Sequence, residues 1–350
     1  MSNPYARPPP TAFWRTAIEE KSGLEIRDLW NPKHPFERSH KVATFGSCFA
    51  QHLRCALKER GYTWLDAEPW ADIFVPAIQK KYNYGIFSAR TGCIYTVAAL
   101  RQWVSWALSL STPPEEIWEA KGRFFDPFRP SIEPGGFATP EELLASRDLV
   151  LRAIRNVVEN ADWFVFTLGA TEAWVTSSGG RNYDMGPGTI AGEFYSSNHS
   201  FKNYTFAEIS SDLGWVIETI SNLNNKVRFL LTVSTVPLNE TAAGKHVLTA
   251  KQSLLRTVAG TAADNLELVD YFPSYEIITA PALQGMFYEA NPQSVSNLGL
   301  TFVVDAFFAR LKQVFGDMPA VIESAITADR NPREFWSNVL TARTALRDVI

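Results

Sequence analysis

The 350-residue sequence has few cysteines, little net charge and no long hydrophobic run. Its three cysteines are odd in number and lie in apolar contexts, which argues against a disulfide framework and against a paired-cysteine metal site. The net charge of −4, from 33 basic and 37 acidic residues, gives no overall attraction to polyanions, so we do not expect a nucleic-acid partner. No apolar stretch approaches the roughly 18 residues that a membrane span requires.

The first residues also lack the features of a secretory signal. Pro8, Pro9 and Pro10 stand where such a signal needs a helical apolar segment. We therefore predict a cytoplasmic protein with an irregular N-terminal arm over residues 1–39. Hydrophobic residues make up 46% of the chain and charged residues 20%, which is enough apolar material for a sizeable core.

From residue 42 onward, short apolar runs alternate with segments of helical period, a pattern typical of β-α units around a mostly parallel sheet. Thr139 and Thr205, each with a glutamate three residues later, predict helices that run to about Asn160 and Asn222. A third helix is predicted from Thr96 to Leu110. The predicted strands are Val42–Phe45, Trp163–Leu168, Val227–Val233 and Leu266–Val269.

Two regions depart from this alternation. Residues 64–138 are rich in Trp, Tyr, Phe, Pro and Gly, and we interpret them as an insertion into the main domain that roofs a pocket. After Gly316 the strand pattern stops, and Asn331–Asp348 reads as a terminal helix. The predicted organisation is thus an arm over 1–39, a domain over 40–315 and a helical extension over 316–350.

Ser47 lies at a predicted turn from strand to helix, a position where a nucleophile is often placed. The first predicted strand leads into Gly46-Ser47-Cys48, and a helix follows until Gly61. The free N–H groups and the positive dipole of a helix start favour an oxyanion there. Two other interpretations stay open: Ser47 is only a helix cap, or the thiol of Cys48 is the nucleophile.

Several sequence blocks around this turn occur in one order over residues 40–310. They are Phe45–His52, Asn83–Gly85, Ile94–Thr96, Asp126–Pro130, Phe166–Trp174, Leu231–Ser234 and Tyr271–Glu276. Together they resemble the GSCFA family, which is related to the SGNH/GDSL esterases and acyltransferases. The resemblance implies an SGNH-like three-layer α/β/α fold with a mostly parallel central sheet.

The same resemblance assigns roles to individual residues. Ser47 is similar to the nucleophile of the first conserved block, and Gly85 to the glycine whose N–H lines the oxyanion hole. Thr171 stands where relatives carry an asparagine, and because its hydroxyl has a shorter reach than a carboxamide, Asn83 is the substitute donor. Glu172 is ionisable at a strand end and is a candidate to orient a base or to bind substrate.

The last block departs most from the family pattern. Where SGNH relatives use Asp-x-x-His to supply the base and its orienting carboxylate, this chain has Asn291 and Ser294, and neither accepts a proton from serine near neutral pH. The five histidines are His34, His40, His52, His199 and His246. His246 is the preferred base, because it follows a loop at the carboxyl edge of a strand and has a family-like context; His199 is the second choice.

These observations predict a serine esterase or O-acyltransferase that acts on a small-molecule or carbohydrate-linked acyl ester. No metal or bound cofactor is required, although acyl-CoA would be a donor in the transferase version. The alternative is an SGNH-like ligand-binding protein whose catalytic base has been lost. The sequence does not decide the acyl group, the acceptor or the oligomeric state.

Overall fold

A four-stranded parallel sheet forms the centre of the molecule, as predicted. The computed structural model describes residue 3 and residues 7–26, 28–70, 76–177, 180–247 and 252–317. The central strands are β1 (Val42–Gly46), β4 (Trp163–Leu168), β8 (Arg228–Val233) and β9 (Val269–Tyr271), in the order β1-β4-β8-β9. The last strand starts three residues later and ends two residues later than predicted, because the backbone turns at Leu266, whose carbonyl accepts from the Val269 N–H.

The smaller strands form two antiparallel sheets. A hairpin joins β2 (Trp118–Ala120) to β3 (Arg123–Phe125), and a three-stranded sheet has the order β6-β5-β7. Its strands are β5 (Glu172–Thr176), β6 (Asn182–Tyr183) and β7 (His199–Asn203). The start of β5 comes only four residues after the end of β4, so this small sheet stands directly at the carboxyl edge of the central one.

Alternating side chains of the central strands build a separate core on each face of the sheet. The helices are α1 (Cys48–Glu59), α2 (Pro76–Lys81), α3 (Val97–Ala107), α4 (Pro140–Asn160), α5 (Phe206–Leu223), α6 (Gln252–Asn265), α7 (Ser274–Thr279) and α8 (Asn297–Phe315). Trp163, Val165 and Leu230 point to the layer of α1, α7 and α8. Phe164 and Phe166 point to the layer of α3 to α6. This period of two is what a sheet covered on both faces requires.

The predicted helix starts are confirmed by their caps. The Thr139 hydroxyl accepts from the Glu142 N–H, and Thr205 forms a reciprocal capping box with Glu208. Thr96 caps α3 by accepting from the Ala99 N–H. Each cap satisfies backbone donors that a helix start leaves unpaired.

A buried ionic cluster joins the sequence block Asp126–Pro130, in the predicted insertion, to α4. Asp126 pairs with Arg129 and Arg147, each at 2.9 Å. Burial pushes the pKa of Asp126 upward, but the two guanidinium groups outweigh it and hold that pKa below its ordinary value. Arg129 also donates to the Arg90 carbonyl at 2.9 Å, which ties the cluster to the loop that leads to the pocket.

The segment before residue 40 contributes to the core, and its described residues include three short helical segments, Pro10–Ala12, Arg15–Glu19 and Gly23–Glu25. Trp30 and Phe36 are buried and both contact Phe307 of α8. Within the described ranges, none of the helices is long and apolar enough to cross a membrane. The helix predicted over Asn331–Asp348, and the extension from residue 318 on, lie outside the described residues.

Candidate active site

Ser47 lies between β1 and α1, and its side chain is buried. The residue is 2% exposed and occupies the N-cap position of α1, yet its side chain makes no capping hydrogen bond. Among the described residues, no hydrogen-bond partner reaches Ser47 Oγ. A buried hydroxyl is normally paired, so this side chain is available for a group that enters from outside.

The backbone before Ser47 is strained in a way that only glycine tolerates. Gly46 has a φ of +112°, and a Cβ atom on it would lie 2.3 Å from the carbonyl oxygen of Thr167 on the neighbouring strand. Gly46 and Thr167 are register partners in the parallel pair β1-β4. The missing side chain therefore lets β1 pair up to its last residue and then turn sharply, which aims Ser47 off the sheet edge.

Ser47 faces a cavity of about 640 Å³ at the carboxyl ends of the central strands. This is the edge at which open α/β sheets bind ligands. Gly169 and Ala170 follow β4, and Ser234 follows β8. The remaining wall consists of Cys93, Tyr95, Glu172, Ala173, Trp174, Asp184, Met185, Gly186, Thr189, Phe201 and residues 236–242.

The insertion supplies part of this wall. The Tyr95 carbonyl accepts from the N–H groups of Gly169 and Ala170 at 3.0 and 2.8 Å, which joins the insertion to the loop after β4. Cys93 and Tyr95 line the cavity from this side. The division of the chain that makes residues 64–138 an insertion stays a prediction.

Asp184 is the most perturbed acid of the cavity. It follows β6, its Oδ1 atom is inaccessible to solvent, and no described residue hydrogen-bonds to that oxygen. Burial raises the pKa of Asp184 to about 7, against a smaller opposing effect of a hydrogen bond from the Tyr95 backbone. The carboxyl group of this lining residue thus changes charge near neutral pH.

Glu172 also lines the cavity, as expected from its position at a strand end. It is the first residue of β5, and its Oε2 accepts from the Thr241 hydroxyl at 2.8 Å. Glu172, Asp184 and Glu240 make the cavity acidic, and its described lining includes no Lys, Arg or His. The remaining lining is largely apolar or aromatic, with Trp174 and Phe201 from the small sheet.

The structure does not bring the predicted oxyanion donors into this wall. Asn83 lines a smaller cavity of about 210 Å³, which shares Cys93, Tyr95 and Asp184 with the first. The Asn83 amide donates to the carbonyls of Ser131 and Ile132 at 3.0 and 3.4 Å.

The other two predicted donors, Gly85 and Thr171, are also not part of the described lining of the Ser47 cavity. A Cβ atom on Gly85 would meet the Arg54 guanidinium at 3.1 Å, and Gly85 is not part of the described lining of either cavity. Thr171 is buried between the lining residues Ala170 and Glu172, and its carbonyl accepts from the Tyr204 N–H at 2.7 Å. The donor roles of Asn83, Gly85 and Thr171 stay predictions.

The last sequence block forms a turn of its own. The amide of Asn291 donates to Ser294 Oγ at 3.0 Å and accepts from the Ser294 N–H at 2.9 Å, and both residues are solvent-accessible. Neither belongs to the described lining of the Ser47 cavity. This turn is the expected place of the base, and it supplies none.

Neither of the two preferred histidines belongs to the described lining of the Ser47 cavity. His246 is exposed and comes four residues after Ala242, the last lining residue of its loop. His199 of β7 accepts from the Tyr195 N–H at 3.2 Å and contacts the rings of Tyr183 and Phe194. The assignment of His246 as base stays a prediction.

Asp184 is the cavity residue that sequence reasoning missed, whereas Tyr95 and Trp174 belong to the sequence blocks but were given no role. Asp184 falls in a segment, residues 177–204, in which no run of apolar residues indicated a strand. Its one signal is an acid between an aromatic residue and Met-Gly, in the sequence Tyr183-Asp184-Met185-Gly186. That signal becomes meaningful only when β5 and β6 pair and carry it to the edge of the central sheet.

Comparison with known proteins agrees with the sequence blocks. Residues 41–307 match the GSCFA family. A solved structure described as a candidate platelet activating factor from Streptococcus pneumonia is 14% identical, covers 49% of this chain and 67% of its own, and superposes with a TM-score of 0.29. No curated protein matches the sequence. The family match spans well over half of the 350 residues, and the chain therefore belongs to the GSCFA family.

Proposed function

We propose that this protein is a serine ester hydrolase or O-acyltransferase with Ser47 as its nucleophile. The observation that carries the proposal is the buried Ser47 hydroxyl at the start of α1, which has no hydrogen-bond partner among the described residues and belongs to the wall of a 640 Å³ cavity. A cavity of this size accommodates a small organic ligand. The first turn of α1 places free N–H groups and a positive dipole beside the oxygen that develops charge.

In the proposed reaction, Ser47 Oγ forms a bond to the acyl carbonyl carbon while its proton passes to a base. The carbonyl oxygen becomes an oxyanion, which the N–H groups at the start of α1 stabilise. Collapse of this intermediate breaks the bond to the leaving alcohol and leaves an acyl-serine. Water releases the acid in a hydrolase, and an acceptor hydroxyl takes the acyl group in a transferase.

The cavity wall favours an uncharged acyl ester. Trp174 and Phe201 offer apolar and aromatic surface, on which an acyl chain or the face of a sugar ring packs. Glu172 and Glu240 repel an anion, and the described lining has no basic side chain to compensate. An acyl-CoA donor would have to keep its phosphates outside this cavity, so we favour a neutral or carbohydrate-linked ester as substrate.

A fluorophosphonate probe tests the nucleophile directly, because it forms a stable adduct with an activated serine. We expect the wild-type protein to be labelled on Ser47, Ser47→Ala to lose the adduct, and Cys48→Ala to retain it. Peptide mass spectrometry locates the modified residue. Labelling that follows Cys48 would move the nucleophile by one residue along the same helix start.

The alternative of a binding protein is supported by one observation, the self-bonded turn of Asn291 and Ser294 in place of a catalytic base. Such a protein would keep the cavity and the helix start but would not activate Ser47. Absence of a serine adduct, together with no turnover of simple acyl esters, would favour this alternative over the enzyme.

A further inference from the structure

Two residues of the same cavity wall each carry a buried side-chain oxygen to which no described residue hydrogen-bonds. These oxygens are Ser47 Oγ, after the central strand β1, and Asp184 Oδ1, after β6 of the small sheet. A buried polar atom without a hydrogen bond destabilises the folded protein, so two such atoms in residues of one cavity wall indicate a functional role. A site in which one oxygen gives up a proton and the other receives it fulfils such a role.

We infer that Asp184 is the catalytic base that takes the proton of Ser47, in place of the histidine used by SGNH relatives. This inference rests on the proposed function and names a residue that the sequence blocks do not mark. The two oxygens are not within direct hydrogen-bond distance of each other, since each lacks a partner. Proton transfer therefore requires the two side chains, which line one cavity, to move together when a substrate occupies it, since catalytic hydrogen bonds often tighten only in the bound complex.

The surroundings of Asp184 suit a base that works near neutral pH. Burial raises its pKa to about 7, so a large fraction is ionised at pH 7, and its proton affinity is far higher than that of an ordinary carboxylate. The other ionisable side chains of the Ser47 cavity are Cys93, Tyr95, Glu172 and Glu240. Lys80, Arg129, Cys93 and Tyr95 share the smaller cavity with Asp184.

The candidates from the sequence are less well placed for this role. Glu172 uses Oε2 to accept from Thr241, so part of its carboxylate is already engaged. His246 is exposed and lies outside the described lining of the cavity. Arg129 donates hydrogen bonds to Asp126, to the Arg90 carbonyl and to Ser146, so its guanidinium group is not paired with Asp184.

The proton steps balance with Asp184 alone. As the bond from Ser47 Oγ to the carbonyl carbon forms, the hydroxyl proton passes to Asp184, and the carbonyl electron pair moves to oxygen. When the bond to the leaving alcohol breaks, Asp184 returns this proton to the alkoxide. In the second half, water or an acceptor hydroxyl attacks the acyl-serine, its proton goes to Asp184, and Asp184 protonates Ser47 as the acyl bond breaks.

The test measures the rate of fluorophosphonate labelling of Ser47 from pH 5 to 9 in wild type, Asp184→Asn, Asp184→Glu and the surface control Asp148→Asn. Asp148 is exposed on α4. We expect the wild-type rate to rise about tenfold per pH unit below about 7 and then to level off. Asp184→Asn should lower the plateau by roughly 10² to 10⁴ and remove the inflection. Asp184→Glu should recover part of the rate with a displaced inflection, and Asp148→Asn should match wild type.

The outcomes separate this inference from the proposed function. Normal Ser47 labelling in Asp184→Asn, with an unchanged pH profile, would overturn the role of Asp184 and leave Ser47 as nucleophile. An inflection that disappears in His246→Ala rather than in Asp184→Asn would overturn that role equally. A wild-type protein that forms no Ser47 adduct would overturn both. Because the wild-type pH profile must itself show the inflection, the inference is falsifiable even if Asp184→Asn fails to fold.

Discussion

A buried carboxyl group with a raised pKa makes the folded protein less stable as the pH rises, and Asp184 allows this to be measured independently of any reaction. Its pKa is about 7 in the folded chain and 3.8 in its ordinary environment. Below pH 3.8 the group is protonated in both states. Between the two values only the folded state holds the proton, so the free energy of unfolding falls as pH rises through this window, and above about 7 it stays level.

The size of the effect follows from the width of that window. Roughly three pH units at about 1.4 kcal/mol each give a ceiling of about 4 kcal/mol. Asp184→Asn removes this dependence, because asparagine does not titrate. The free energy of unfolding of the variant, relative to that of wild type, should therefore rise by up to about 4 kcal/mol between pH 4 and pH 8. The unpaired amide adds a constant difference that does not change with pH.

Urea unfolding at pH 4, 5, 6, 7 and 8 gives the difference between the two proteins at each pH. Asp148→Asn is the matched control, since the exposed Asp148 should produce a difference that hardly changes over this range. If the difference between wild type and Asp184→Asn stays constant within about 0.5 kcal/mol from pH 4 to pH 8, the buried carboxyl has an ordinary pKa. Asp184 would then also be unsuited to act as a base near neutral pH.

Three further predictions concern the frame and the wall of the site. Gly46→Ala should lower the free energy of unfolding by more than about 4 kcal/mol, because the new Cβ atom would lie 2.3 Å from a backbone oxygen. The control Gly122→Ala is also at positive φ but in open space, and it should cost only about 1–2 kcal/mol in the same urea assay. Asp126→Asn should cost about 3–5 kcal/mol of stability, because it leaves two buried guanidinium groups without their charge partner. The control Asp212→Asn breaks a partly exposed ion pair and should cost at most about 1 kcal/mol. Thermal melts in which the two variants are equally destabilised would contradict the stabilising role of the buried cluster. Trp174→Ala should raise KM for esters with bulky acyl or alcohol groups more than it lowers kcat, and steady-state kinetics that show a loss in kcat alone would remove the side chain from substrate binding.

Local sequence signals determined much of the frame. The hydroxyl caps at Thr139 and Thr205 fix where two helices begin, because they act over only three residues. Runs of apolar residues such as Trp163–Leu168 fix the central strands, since a strand buried on both faces must be apolar throughout. Gly46-Ser47 identified the turn at the sheet edge, and the sequence blocks identified the family.

Only the tertiary structure decided which groups meet Ser47. Asp184 is 137 residues away along the chain, and the pairing of β5 with β6 is what carries it to the cavity. Its pKa depends on how many atoms exclude water around it, which no local pattern encodes. The reverse holds for Asn291 and Ser294, whose spacing suggested a site but whose short-range hydrogen bonds close a separate turn. Hydrophobic periodicity and helix caps depend on residues that are neighbours in the sequence. Burial and proton affinity depend on the complete packed structure, and the chemistry of this site depends on burial and proton affinity.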